Sequence, residues 1–117
     1  MSEIGEDMIR AIIRGLSRVI ILWLVSQGPA SGYRITKEIR RLTGRKFTSG
    51  VIYPLLYELE EKGFITGRWV QRGRRRIKYY SITEDGEEIL SNIRRLFEKP
   101  VREVLKSLLS EDQPQLH

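Results

Sequence analysis

Apolar residues recur at steps of three and four along the first part of the chain. They occupy positions 9, 12, 13, 16, 19, 20, 23 and 24, which is the spacing of one face of an α-helix. Gly15 leaves open whether this stretch forms one helix or two. The segment from Gln27 to Ala30, which contains Gly28 and Pro29, ends the helical pattern.

Two further helices are predicted before residue 64. Ser31 is the expected N-cap of the second helix, which runs through Arg41 and is followed by a polar turn at residues 43–46. Thr48 or Ser49 is the expected N-cap of the third helix. Its apolar stripe consists of Val51, Ile52, Leu55, Leu56 and Leu59. Gly63 ends this helix as a C′ residue.

Two segments rich in β-branched and aromatic residues follow, at positions 64–70 and 76–82. They predict a two-stranded hairpin around a loop at residues 71–75, in which Gly73 takes unusual backbone angles. If residue 70 pairs with residue 76, Tyr79 lies opposite Gly67 and covers the bare backbone there.

A last helix is predicted from its N-cap Thr83 to about residue 109, with Pro100 predicting a kink or a break. The order of elements predicts a mainly α protein with a two-stranded β-hairpin. Such an arrangement is a winged helix-turn-helix, here followed by a C-terminal dimerisation helix. We expect residues 1–82 to form the winged domain with its N-terminal helix, residues 83–110 the dimerisation helix and residues 111–117 a polar tail.

Composition excludes several classes of function. The chain of 117 residues has no Cys, and its only His is the last residue, so we expect no His/Cys metal site, no cofactor and no triad hydrolase. Glu58, Glu60 and Glu61 form an acidic cluster that Lys62 and solvent explain, and without a nucleophile and base we expect no enzyme. The apolar run at residues 19–25 is too short to cross a membrane, and the acidic start is unlike a secretory signal. We therefore expect a cytoplasmic protein.

The positive charge is concentrated in the predicted hairpin. The formal net charge is +6, and residues 67–82 hold six basic residues and no acidic one. A concentrated basic element is typical of proteins that bind polyanions, with nucleic acid as the first candidate. A merely solvated basic face is the alternative. An anionic membrane surface is a third interpretation, which no strongly basic amphipathic helix supports.

Three blocks of sequence resemble the PadR family of transcriptional regulators. The blocks are Leu24-x3-Gly28-Pro29-x2-Gly32-Tyr33-x-Ile35, IYPLLYELEEKGFI at residues 52–65 and KYYSITEDG at residues 78–86. The match covers about residues 16 to 90, and the single C-terminal helix resembles the short subfamily. The resemblance implies a homodimeric winged-helix repressor, usually responsive to a small-molecule effector, that binds an operator with dyad symmetry. Multidrug-sensing members carry a tryptophan in the C-terminal helix, where this chain has only Phe97 as an aromatic residue.

The predicted contacts to double-stranded DNA lie at the start of the third helix and on the hairpin. They are Lys46, Thr48, Ser49, Gly50, Tyr53, Tyr57, Arg68, Arg72, Arg74, Arg75, Arg76 and Lys78. Arginines clustered around Gly73 repel one another unless an anion, such as a narrow minor groove, neutralises them. As alternatives, Thr48 and Ser49 would act as helix N-caps, and Tyr53 and Tyr57 would be half-buried core residues. Because the third helix has no Arg, Asn or Gln to read bases, the hairpin, Lys46 or DNA shape would carry sequence discrimination.

A second predicted surface joins two subunits. It consists of Leu90, Ile93, Phe97, Val101, Val104 and Leu108 on the last helix, with Ile9, Ile12, Ile13 and Leu16 on the first. Packing of the last helix back on its own domain is the alternative. We expect Trp23 to pack in the core or interface rather than line an effector pocket, and Trp69 to cover the sheet.

The sequence as a whole predicts a homodimeric, sequence-specific transcriptional regulator. A winged-helix module that binds a protein partner or structured RNA is the alternative, because it would use the same basic hairpin without a palindromic duplex.

Overall fold

The structure is a computed structural model that describes residues 2–47 and 50–110, with the exception of the side chain of Lys46. The elements follow one another as α1 (Glu3–Ser26), β1 (Ala30–Ser31), α2 (Gly32–Thr43), a 3-10 turn (Arg45–Phe47), α3 (Ile52–Glu61), β2 (Ile65–Arg72), β3 (Arg75–Ile82), α4 (Glu84–Leu96), a π-helical turn (Phe97–Val101) and α5 (Arg102–Leu109). The predicted mainly helical winged fold is confirmed.

Helix α1 is continuous, so Gly15 does not divide it. Its buried side is formed by Ile13, Ser17, Ile21, Leu22 and Val25. Apolar residues on its remaining surface stay exposed, among them Met8, Ile9, Ile12, Leu16 and Trp23. The helix therefore supports the core on one side and presents a second apolar stripe to its surroundings.

Helices α2 and α3 form the helix-turn-helix and supply half of the buried core residues. The predicted cap of α2 is confirmed, since Ser31 Oγ accepts a hydrogen bond from the backbone N of Arg34 at 3.1 Å. Helix α3 begins at Ile52, and the predicted caps Thr48 and Ser49 lie outside the described residues. The core residues of these two helices are Ile35, Ile39, Ile52, Leu55, Leu56 and Leu59.

Gly63 ends α3 as predicted. Its φ is +82°, its N–H donates to the carbonyl of Glu60, and the N–H of Phe64 donates to the carbonyl of Leu59. This pair of bonds is the Schellman arrangement, which turns the chain sharply from α3 into β2.

The hairpin of β2 and β3, which we call the wing, has a tighter turn than predicted. Arg72 pairs with Arg75, so the loop is Gly73 and Arg74 alone, with Gly73 at a φ of +63°. A positive φ at the first loop position is the pattern of a two-residue type II′ turn, whose twist suits a hairpin. The strand β1 adds a third strand, which the sequence did not predict, by pairing Ala30 with Tyr80.

The predicted register was wrong by one residue. Val70 pairs with Ile77, which places Tyr80 rather than Tyr79 opposite Gly67. Because the side-chain period of a strand is two, a shift of one residue exchanges the two faces. The bare backbone of Gly67 is consequently covered by the side chains of Lys78 and Glu60.

The C-terminal helices start close to the wing and then leave the core. The predicted cap Thr83 is confirmed, since its hydroxyl accepts from Gly86 N at 3.0 Å and donates to Gly63 O at 2.6 Å. Pro100 lies inside the π-helical turn, so the expected long helix is interrupted by five residues of wider backbone. The chain extends 63 Å along its longest axis and 23 Å along its shortest. Within the described residues, no helix has the length and apolar character to span a membrane.

Candidate nucleic-acid interface

The tip of the wing, residues 72–76, is a cluster of exposed cations. Arg72, Arg74, Arg75 and Arg76 are all exposed, and no ion pair within residues 2–47 and 50–110 includes any of them. Arg72 and Arg75 are directly opposite each other on paired strands, where like charges destabilise a hairpin. A polyanion bound at the tip would relieve this repulsion.

Aromatic rings below the tip support two of these arginines. The guanidinium carbon of Arg76 lies 5.1 Å from the centre of the Trp69 ring, and that of Arg72 lies 5.8 Å from the Tyr79 ring. Such contacts orient a guanidinium while leaving its N–H groups able to donate. Trp69 is exposed on β2, and its ring lies beside the basic side chains of Arg76 and Lys78 on β3.

The exposed side of α3 faces a cavity between the helix and the wing. The cavity has a volume of about 350 Å³ and is lined by Tyr33, Tyr53, Tyr57, Trp69, Arg75, Arg76 and Lys78, among others. Tyr53 and Tyr57 are 46% and 57% exposed, so their phenols can reach a ligand. A Cβ at Gly32 would lie 2.8 Å from the Tyr53 ring, which shows that this ring also packs closely on α2.

Two other predicted contacts, Gly50 and Arg68, are not among the residues that line this cavity. Gly50 lies two residues before α3 with a φ of +68°, and Arg68 is exposed on β2. Thr48, Ser49 and the side chain of Lys46 lie outside the described part of the chain.

Lys78 differs from the other predicted cations because its ammonium is used within the protein. Its Nζ lies 2.8 Å from Glu60 Oε1, and its side chain is 21% exposed. The hydrogen bond to Glu60 raises the pKa of Lys78 above its usual range. Lys78 thus joins the wing to α3 and keeps little charge free for a ligand.

A second ion pair, which sequence reasoning missed, joins α3 to α1. Arg18 Nε and Nη2 donate to the two oxygens of Glu58 at 2.6 and 3.1 Å. The hydrogen bond from Arg18 lowers the pKa of Glu58, and Lys62 contributes from 3.8 Å. The acidic cluster on α3 was the available signal. Sequence analysis explained this cluster by Lys62 and solvent. In the structure, Glu58 pairs with Arg18 of α1 and Glu60 pairs with Lys78 of β3.

The residues predicted for the subunit interface fall into two groups. Ile13 and Leu90 are buried within the chain itself, and Ile93, Phe97 and Val101 are half-buried. The exposed group consists of Ile9, Ile12, Leu16, Val104 and Leu108. Trp23, which the sequence predicted to pack in the core or interface, is exposed in the single chain, and it lines an open groove of about 350 Å³ together with residues of α4 and the π-helical turn, among them Phe97.

Comparison with known proteins places this geometry among transcriptional regulators. Residues 21–92 match the sequence profile of the Transcriptional regulator PadR-like family. The chain is 37% identical over 82 residues to the transcriptional regulator YqjI of Escherichia coli strain K12, which covers 68% of this chain but 38% of that protein. The chain therefore spans well under half the length of that relative.

Solved structures of transcriptional regulators also superpose on this chain. A PadR-like transcriptional regulator from Bacillus cereus superposes with a TM-score of 0.74 at 25% identity, covering 86% of this chain and 99% of the other. A transcriptional regulator from Clostridium thermocellum superposes with a TM-score of 0.72 at 27% identity, covering 86% and 96%.

Proposed function

The chain belongs to the Transcriptional regulator PadR-like family, and from this membership we propose that it is a repressor that binds a dyad-symmetric DNA operator as a homodimer. Members of this family are regulators of transcription and not enzymes. The observation that carries the proposal is the unneutralised arginine cluster at the tip of the wing, next to the exposed tyrosines of α3.

We assign different tasks to the wing and to α3. Arg74 and Arg75 enter or border the minor groove, whose narrow form concentrates negative potential. The phenols of Tyr53 and Tyr57 donate to backbone phosphates while α3 lies in the major groove. Because α3 has no Arg, Asn or Gln, DNA shape supplies a large part of the sequence discrimination.

The homodimer is supported by exposed apolar side chains on α1 and α5. Ile12, Val104 and Leu108 are 55%, 64% and 72% exposed in the single chain, and a partner subunit would bury such surface. In a symmetric dimer, the two α3 helices would lie about 34 Å apart, on successive major grooves of one face of DNA. Ile13 and Leu90 would act indirectly, by supporting the helices that carry the interface.

For a small-molecule effector we propose the groove between α1 and α4. Its apolar wall includes Trp23, Ile93 and Phe97, and Arg94 and Arg102 also line it. An apolar ligand bound there would change the fluorescence of Trp23, measured in a Trp69→Phe background.

Selection of bound duplexes from a random pool tests the DNA proposal. We expect the recovered sequences to share two inverted half-sites whose centres are about 10 base pairs apart, or a multiple of that spacing. Recovery of duplexes without dyad symmetry would contradict the dimeric mode. Failure to bind any duplex at low salt would favour a protein or RNA partner.

The oligomeric state is tested by Ile12→Asp combined with Leu108→Asp, which place charge on the exposed stripes without entering the core. We expect sedimentation to give a dimer for the parent and a folded monomer for this variant. Leu42→Asp is the matched control, because Leu42 is an exposed leucine on α2. An unchanged dimer in the double variant would place the interface elsewhere.

A further inference from the structure

We infer that Lys78 and Glu60, together with Gly67, form a latch that sets the position of the wing on α3, so that Lys78 governs DNA specificity without contacting DNA. The inference rests on the proposed function, because it concerns how the two DNA-binding elements are presented together. It assigns Lys78 the role of a positioning residue, in place of the phosphate contact that its charge alone predicts.

One carboxylate holds both strands of the wing. Glu60, near the end of α3, accepts from Lys78 Nζ on β3 through Oε1 at 2.8 Å and from Gly67 N on β2 through Oε2 at 3.2 Å. Both oxygens therefore bond to the wing, and each bonds to a different strand. A carboxylate with two such partners fixes a direction as well as a distance.

The backbone at Gly67 is shaped to admit this contact. A Cβ at Gly67 would lie 2.2 Å from Lys78 Cε and 2.8 Å from Glu60 Oε2. Any larger residue would displace both members of the pair. The glycine thus allows the lysine stem and the carboxylate to lie directly on the strand.

Aromatic rings lie around the ammonium, whose side chain is 21% exposed. Lys78 Nζ lies 5.2 Å from the centre of the Tyr80 ring and 5.9 Å from the rings of both Tyr57 and Trp69. Tyr57 belongs to α3, whereas Trp69 and Tyr80 belong to the wing, so the ammonium lies at the junction of the two elements. Because this charge is already paired with Glu60, we expect it to neutralise no phosphate and so to displace no counterion from DNA.

The position of the wing matters because the two elements read DNA together. The tyrosines of α3 and the arginines of the tip must meet backbone and groove positions at a fixed separation. Phosphate attraction tolerates displacement, whereas a shape-dependent contact does not. Loosening the latch should consequently reduce binding to the operator more than binding to random DNA.

The salt dependence of binding distinguishes a positioning lysine from a phosphate contact. For Lys78→Met, we expect affinity for a selected dyad duplex to fall about tenfold and affinity for a random duplex to change less than about twofold. The slope of log K against log salt should stay that of the parent. Arg74→Met is the matched control, since it makes the same change at the tip and should reduce the slope by about one unit. A reduction of about one unit in Lys78→Met would overturn the inference.

Glu60→Gln keeps the size of the side chain and removes the ion pair, so it provides an independent variant. We expect it to lose specificity as Lys78→Met does, and the double variant to lose no more than either single one, because both act through one contact. Lys78→Arg, which can still pair with Glu60, should restore specificity. Additive losses, or an unchanged specificity in Glu60→Gln, would contradict the latch.

Thermal unfolding of each variant separates loss of fold from loss of specificity. If Lys78→Met does not fold, the affinities of Glu60→Gln and Lys78→Arg for the dyad duplex and the random duplex test the latch instead. If the parent itself binds no duplex, the proposed function fails rather than the latch.

Discussion

Both ends of the wing contain basic residues, but the fold treats their charge in opposite ways. At the root, close to α3, Ile65 and Tyr80 are buried and Lys78 is paired with Glu60. At the tip, four arginines around Gly73 are exposed and take part in no ion pair of the described residues. A basic sequence is therefore not a uniform binding surface, because only charge that the fold leaves uncompensated is available to a polyanion.

The root should dominate stability, and Ile65→Ala is the strongest test. Ile65 is 1% exposed, so truncation leaves a cavity in the core and should cost about 2–5 kcal/mol of unfolding free energy. Ile77→Ala is the matched control. Ile77 is only half-buried and lies on the other face of the same hairpin, so Ile77→Ala should reduce the free energy of unfolding by a smaller amount. Denaturant unfolding measures both, and equal losses would contradict the division between root and tip.

Arg18→Met extends the comparison to the other ion pair of α3. We expect a loss of about 1 kcal/mol near neutral pH, because the bidentate bond to Glu58 is partly shielded from solvent. Hydrogen bonding from Arg18 holds the pKa of Glu58 below its usual range. This contribution is therefore fully present above about pH 4.3, the ordinary pKa of Glu, and is lost as the pH falls through the lowered pKa of the folded state.

The pH dependence is measured by unfolding the parent and Arg18→Met at pH 7 and under acid conditions. Their difference should shrink in acid as Glu58 becomes protonated. Arg10→Met is the control, because both side chains of the Arg10–Asp7 pair on α1 are 63% exposed and the pair should contribute little at either pH. A difference between parent and Arg18→Met that persists in acid would show that packing of the Arg18 stem, not the ion pair, is responsible.

The smallest effect on stability is expected at the tip. Arg74→Ala combined with Arg75→Ala removes no buried contact and relieves the repulsion between Arg72 and Arg75. We expect the free energy of unfolding to change by less than about 0.5 kcal/mol, with any change in the stabilising direction. A large loss would show that the tip has a structural role.

Local signals in the sequence predicted much of the fold. Ser31 and Thr83 act as caps within three residues of their partners, and Gly63 and Gly73 supply positive φ at the positions where the chain turns. Such features depend on neighbours in the chain, so a sequence contains them directly.

Features set by distant contacts could not be predicted in this way. Glu60 and Lys78 are 18 residues apart and Arg18 and Glu58 are 40 apart, so charge pattern alone did not indicate either pairing. The register was wrong by one residue because the type II′ turn needs two loop residues where five were expected. Pro100 predicted a kink or a break in the last helix without distinguishing the two, and the structure has a π-helical turn there.

The salt dependence of duplex binding by the parent and by the Arg74→Ala, Arg75→Ala variant tests whether the tip of the wing binds DNA. In anisotropy titrations between low and physiological salt, we expect the variant to bind dyad and random duplexes more weakly alike. Its slope of log K against log salt should be shallower by about one to two units, because each arginine removed leaves about one phosphate with its counterion. Identical slopes for parent and variant would contradict the claim that the tip of the wing binds DNA.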